Sequence, residues 1–180
     1  MMNFVYNNQI ECIFVDPVEP VVSQEPAHES FALWDLTAFK EWYLPKFQKA
    51  RFEVDAMGGR DLDRFSRYAF SFFGATRLNG FSGTGVRFDR GLIARAGYSF
   101  NLFGAIRFDL ALERARVEDK GPEAKGLDAV RQNFTGAGIS GNIIGPWKTV
   151  IAGSYGRAMQ SDIPDLKGKQ EFMVTVLKLF

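Results

Sequence analysis

The chain is short of the residues on which most enzymes and metal proteins depend. Of its 180 residues one is cysteine and one is histidine. A lone Cys12 closes no internal disulfide. His28 lies in a Pro-rich stretch with no partner at ligand spacing, so no metal site is expected. With no other histidine, the serines lack the base that a nucleophilic triad requires. No catalytic residue and no cofactor is therefore expected. A formal net charge of +1 gives no electrostatic case for a nucleic-acid partner. No apolar run approaches the ~20 residues of a spanning helix. Residues Met1–Asn8 lack a basic segment followed by an apolar one, so the sequence is read as a mature form or a carboxy-terminal piece rather than one opening on a signal peptide.

What is abundant is phenylalanine and glycine, 18 of each. That pairing suits strands punctuated by tight turns and bulges better than helices. A mean hydropathy near zero does not decide between water and membrane, because a membrane strand shows lipid only every second residue.

Period-2 alternation, which places i and i+2 on one face of a strand, recurs along the chain. Residues 3–15 form a plausible first strand. The stretch 16–30, with Pro17, Pro20 and Pro26 among acids, reads as a loop. Trp34, Leu36, Ala38, Trp42 and Leu44 oppose Asp35, Thr37 and Glu41, with Phe39 and Lys40 out of step; Pro45 ends this strand. Phe52, Val54 and Ala56 oppose Arg51, Glu53 and Asp55. Residues 60–90 are irregular: Leu62, Phe65, Ala69 and Phe72 have the spacing of a short surface helix, and the Gly-rich 74–85 demands a loop.

From residue 91 the alternation persists. Leu92, Ala94, Ala96, Tyr98, Phe100 and Leu102 oppose Arg95, Gly97, Ser99 and Asn101. Ile106, Phe108, Leu110 and Leu112 oppose Arg107, Asp109, Ala111 and Glu113. After a charged loop, 119–133, Thr135, Ala137, Ile139 and Ile143 oppose Gly136, Gly138, Ser140 and Asn142. A strand over 147–158 follows Gly145-Pro146, and Phe172, Val174, Val176 and Phe180 mark a closing strand.

Two patterns are set aside. Gly136-x-Gly138-x-x-Gly141, with Asp162 about 20 residues on, matches a dinucleotide fingerprint. Asn142-Ile-Ile-Gly-Pro146 cannot open the helix that such a site needs, so the glycines read as the inner face of a strand. The acid pairs Glu53/Asp55 and Asp61/Asp63 read as solvated charges.

About eight strands with alternating short and long connections make the fold class all-β, an antiparallel transmembrane barrel or barrel segment over 31–180, with residues 1–30 contributing a first strand and the acidic loop. The apolar faces would meet outer-membrane lipid, and Arg51, Glu53, Asp55, Arg95, Arg107, Asp109 and Glu113 would line a wet lumen. Trp34, Trp42, Tyr43, Tyr98, Trp147 and Tyr155 are expected at an interfacial belt.

The order of these features from about residue 31 resembles the carboxy-terminal half of the BamA/TamA-type outer-membrane insertase barrel, the bacterial surface antigen family. Arg77-Leu-Asn-Gly-Phe81 is similar to that family's loop motif. Five strands follow it, Gly145–Gly156 is similar to the penultimate hairpin, and Phe172–Phe180 is similar to the last strand. The resemblance implies a bacterial outer-membrane location, no enzymatic activity, and as partners the remainder of a larger barrel or client barrel proteins. The family's periplasmic repeats have no counterpart in these residues. Where the family has its lumen-directed loop Arg, this chain has Asn79, flanked by Gly80 and Phe81; Asn cannot form a bidentate ion pair with an acid such as Glu113, and Arg77 stands two residues away. The alternatives are a self-contained eight-stranded outer-membrane barrel, structural or adhesive, and a soluble ligand-binding barrel.

Overall fold

The computed structural model describes residues 8–14, 32–60, 62, 66–102, 106–119, 130–144 and 149–178. The expectations for His28, Asp61, Asp63, Phe65, Trp147, Phe180 and the Pro-rich stretch 16–30 fall outside these residues. The strands in chain order are β1 (Asn8–Phe14), β2 (Ala32–Leu44), β3 (Gln48–Arg60), β4 (Tyr68–Ala69), β5 (Arg87–Phe88), β6 (Arg90–Leu102), β7 (Ile106–Asp119), β8 (Val130–Ile144), β9 (Thr149–Ser161) and β10 (Gln170–Lys178). Eight of them form one antiparallel sheet in the order β1-β2-β3-β6-β7-β8-β9-β10, while β4 and β5 pair separately. Every step in the large sheet runs to the next strand in the chain, apart from the β4–β5 excursion. The strand ends at 44/48, 102/106 and 144/149 therefore lie at one end of the sheet, and those at 60/90, 119/130 and 161/170 at the other. The short-long alternation read from the sequence is present. At the first short turn Lys46 and Phe47 both take left-handed backbone, at φ 62° and 59°, as a hairpin of this hand requires.

Among the described residues the sheet is not closed into a barrel: β1 pairs with β2 and β10 with β9, and no pairing joins β1 to β10. A self-contained eight-stranded barrel would pair the first strand with the closing one; β1 instead lies at the far margin, with six strands between it and β10.

Register follows the alternation. Ala96 on β6 faces Leu112 on β7, and Leu112 faces Ala137 on β8, so small and large apolar residues lie side by side on one face. On this outer face Leu112 is 58% exposed and Phe172 73%. From Leu92 to Leu102 the outer row of β6 spans about 33 Å at ~3.3 Å per residue. At its end toward the long connections exposed arginines flank it: Arg116 pairs with Leu92 and Arg114 with Ala94, and Arg90 and Arg131 lie beyond. Lys40 is the charged residue within the apolar rows of β2; its ammonium lies 5.6 Å from the Trp42 ring centre.

The core lies on the opposite, inner face, near the long connections. Loop 62–89 folds down onto the sheet and buries Phe70, Leu78, Phe81 and Phe88 against Met57, Ile93, Ala115, Val117, Phe134 and Ala158. Phe70 and Phe81 each sit 5.2 Å from Phe134, and Phe70 lies 5.2 Å from Phe88. This overturns the surface helix expected over 62–72. Among the described residues of that stretch there is no helix, because Phe70 is drawn into the aromatic cluster and Ala69 pairs with Arg87 in the short β4–β5 ladder. Tyr43 also departs from expectation. It shares a face with Glu41, bonding that carboxylate at 2.9 Å, rather than joining an outer belt. Tyr155 lies in mid-strand, and only Trp34 and Trp42 sit toward the two ends of β2 on the outer face.

Truncating either ring of this cluster should be costly. Phe134→Ala or Phe81→Ala is expected to lower unfolding free energy by about 3–5 kcal/mol, read from the denaturant midpoint. Phe81→Ala should also expose loop 66–89 to protease.

Candidate functional site: a loop seated on a charged face

Alternation sends Arg51, Glu53 and Asp55 of β3, Arg95 of β6 and Glu113 of β7 to the inner face. All seven charges assigned there from the sequence do point that way. Burial forces them to find partners. Arg95 is the centre: its Nη1 lies 2.9 Å from Glu53 Oε1 and also pairs with Asp55. Its Nη2 donates to the carbonyl oxygens of Ala75 (2.5 Å) and Arg77 (2.7 Å), both on the loop. One guanidinium thus holds two strand carboxylates and the loop backbone together.

Glu113, fully buried, is reached from the loop side. Its Oε2 accepts the Asn79 backbone N–H at 2.5 Å, and its Oε1 accepts from Arg77 at 3.2 Å. Arg95 Nε is 3.9 Å from the same oxygen. Asn79 therefore binds the acid through its backbone, and Arg77 supplies the charge that the Asn side chain lacks. The remaining acids extend the network: Glu41 takes Lys49 at 2.9 Å and Arg51 at 3.3 Å, and Arg51 also pairs with Glu53. Arg107 and Asp109, 3.1 Å apart, form a separate pair nearer the short turns. Arg51, Arg77 and Arg107 line a cavity of about 540 Å³ beside the loop, with Phe73 and Met173.

Glycines shape the seat. A Cβ on Gly136 would strike the Asn79 carbonyl oxygen, and one on Gly138 would lie 2.5 Å from the Asn79 side chain. Gly80 itself has φ +85° and lies against the backbone of Arg157 and Ala158, so no other residue suits both its conformation and its space. The glycines set aside as a false dinucleotide motif prove to be the floor under Asn79. Asp162 is likewise occupied, accepting the backbone and side-chain N–H of Asn133 at 2.7 and 2.9 Å.

Two anchors went unread in the sequence. Arg67, buried, donates to Asp89 at 2.8 Å and pairs with Asp119 on β7, pinning both legs of the loop. Glu171 on β10 accepts the Ser82 N–H at 3.0 Å. Its inward position was available from alternation with Phe172 and Val174, but its partner was not. Tyr68 steadies the loop base by donating to the Trp34 carbonyl at 3.1 Å, and burial together with neighbouring Asp35 raises its phenol well above the usual range. Among the described residues no group of His, Cys, Asp and Glu is placed to hold a metal.

No family model, curated protein or solved structure matches this chain.

The two cations are expected to differ in weight. Arg95→Met leaves buried acids without their partner and should cost about 3–5 kcal/mol in denaturant unfolding. Arg77→Ala removes a half-exposed head and should cost about 1 kcal/mol or less. Equal losses would contradict the central position given to Arg95.

Proposed function

We propose that this chain is a segment of a bacterial outer-membrane β-barrel of the insertase type, its outer face in lipid and its loop 62–89 seated in the lumen. One observation carries the reading: the sheet is inside-out for a protein in water. The long-connection half of its charged face is covered by a folded loop, while the large apolar side chains of the other face stay exposed on strand after strand. No α-helix among the described residues covers that face. At a tilt of about 40° the ~33 Å apolar row of β6 projects to about 25 Å, the height of the apolar band in outer-membrane barrels. The arginines at its long-connection end, Arg114 and Arg116 beside Ala94 and Leu92, would reach toward headgroups.

The insertase assignment is supported by the resemblance and by what the loop does. Arg77, Asn79, Gly80 and Phe81, the residues that carry the likeness, are the ones that meet Glu113, the glycine floor and the aromatic core. Five strands follow the loop. The open sheet favours a segment of a larger barrel over a self-contained eight-stranded one, which would need β1 and β10 to pair. In this reading the sheet's two margins continue into further strands, and the role is the assembly of client barrel proteins in the membrane.

Two measurements separate the readings. Folded in detergent or lipid, the protein should migrate faster on a cold gel than after boiling; recovery as a stable aqueous monomer would sink the membrane assignment. Reconstituted in liposomes, it should speed the folding of a client outer-membrane barrel. Heat-modifiable migration with no effect on the client would leave a structural barrel instead.

A further inference from the structure

We propose that Glu171 couples the seated loop to the free margin of the sheet, so that release of β10 from β9 and withdrawal of residues 79–82 oppose the same set of contacts. The coupling does not depend on the membrane reading. Among the described residues β10 pairs with β9 alone, and its outer residues Phe172, Val174 and Val176 are all exposed. Near the long-connection end of the strand, Glu171 pairs in register with Gly156. The missing side chain of Gly156 opens a gap on the inner face. Both the carboxylate and the loop enter it: a Cβ there would lie 2.7 Å from Glu171 Oε1 and 2.8 Å from the Gly80 nitrogen.

The other carboxylate oxygen accepts the Ser82 N–H at 3.0 Å. Ser82 is buried, and its hydroxyl donates to the Ser71 carbonyl at 2.8 Å, which ties it into the body of the loop. Adjacent Phe81 packs on Phe134. A continuous path therefore runs from the last strand, through one carboxylate, into the aromatic core. Contacts shared in this way make a linkage, and linkage is reciprocal. Loosening the loop must loosen β10, and freeing β10 must loosen the loop.

Hydrogen exchange on the full folded chain tests this. In Glu171→Ala the amides of 172–177 and of 79–83 should both exchange about tenfold faster, the scale of one charge-assisted bond. Gly80→Val, which forces the loop tip off β9, should speed 172–177 by a comparable factor, and the double variant should add nothing further. Faster exchange confined to Ser82, or additive effects, would overturn the proposal. If either variant fails to fold, the pair Ser82→Cys and Glu171→Cys in a Cys12→Ser background replaces them. Oxidation should then slow exchange of 172–177 relative to the reduced form, and equal rates in the two forms would overturn the coupling.

Discussion

The structure depends on a buried carboxylate that the sheet cannot satisfy by itself. Glu113 is fully enclosed, and its partners come from elsewhere: a backbone N–H and an arginine from the loop, with Arg95 of the adjacent strand nearby. Leaving such a group unpaired costs several kcal/mol, so the loop has to be down for the inner face to be stable. Arg95 enforces the same condition from the other side, because its donors reach the loop carbonyls at 75 and 77 while it neutralises Glu53 and Asp55. Sheet and loop are one electrostatic unit.

That unit explains why the interior is arranged in two zones. Toward the long connections the loop brings four large apolar residues and makes a dry core with the ends of β3, β6, β7, β8 and β9. Toward the short turns the loop stops, and charged and polar side chains border an open cavity. The outer face shows no such division: its side chains are mostly apolar, with Lys40 and Arg157 charged residues among them. An exposed apolar face of this extent is what the proposed lipid contact would cover.

Much of this was legible in the residues. Alternation gave the strands and the face of each charge, and the lengths of the connections gave their grouping at two ends. A loop over the Gly-rich 74–85 was legible from its glycines. Its seating was not, because a sequence pattern names faces but not which distant segment covers them. Helical spacing at Leu62, Ala69 and Phe72 competed with a long-range aromatic cluster, and tertiary packing won. Gly136 and Gly138 were correctly taken as inner-face strand glycines, yet their reason lay 57 residues upstream, in the room that Asn79 requires. The Asn79 side chain reads as unable to pair bidentately with an acid such as Glu113; in three dimensions its backbone N–H meets that acid and Arg77 reaches it. The openness of the sheet could not be read from either end of the chain.

The central claim is that the outer face meets lipid and the inner face meets water, and site-directed spin labelling tests it most directly. Single cysteines at Leu112, Val174, Arg107 and Ser140, in a Cys12→Ser background, would carry the label in protein reconstituted into phospholipid vesicles. Labels at 112 and 174 are expected to collide with oxygen and to be shielded from a water-soluble nickel chelate, while labels at 107 and 140 should show the reverse. Nickel accessibility at 112 and 174 equal to that at 107 and 140 would contradict the account.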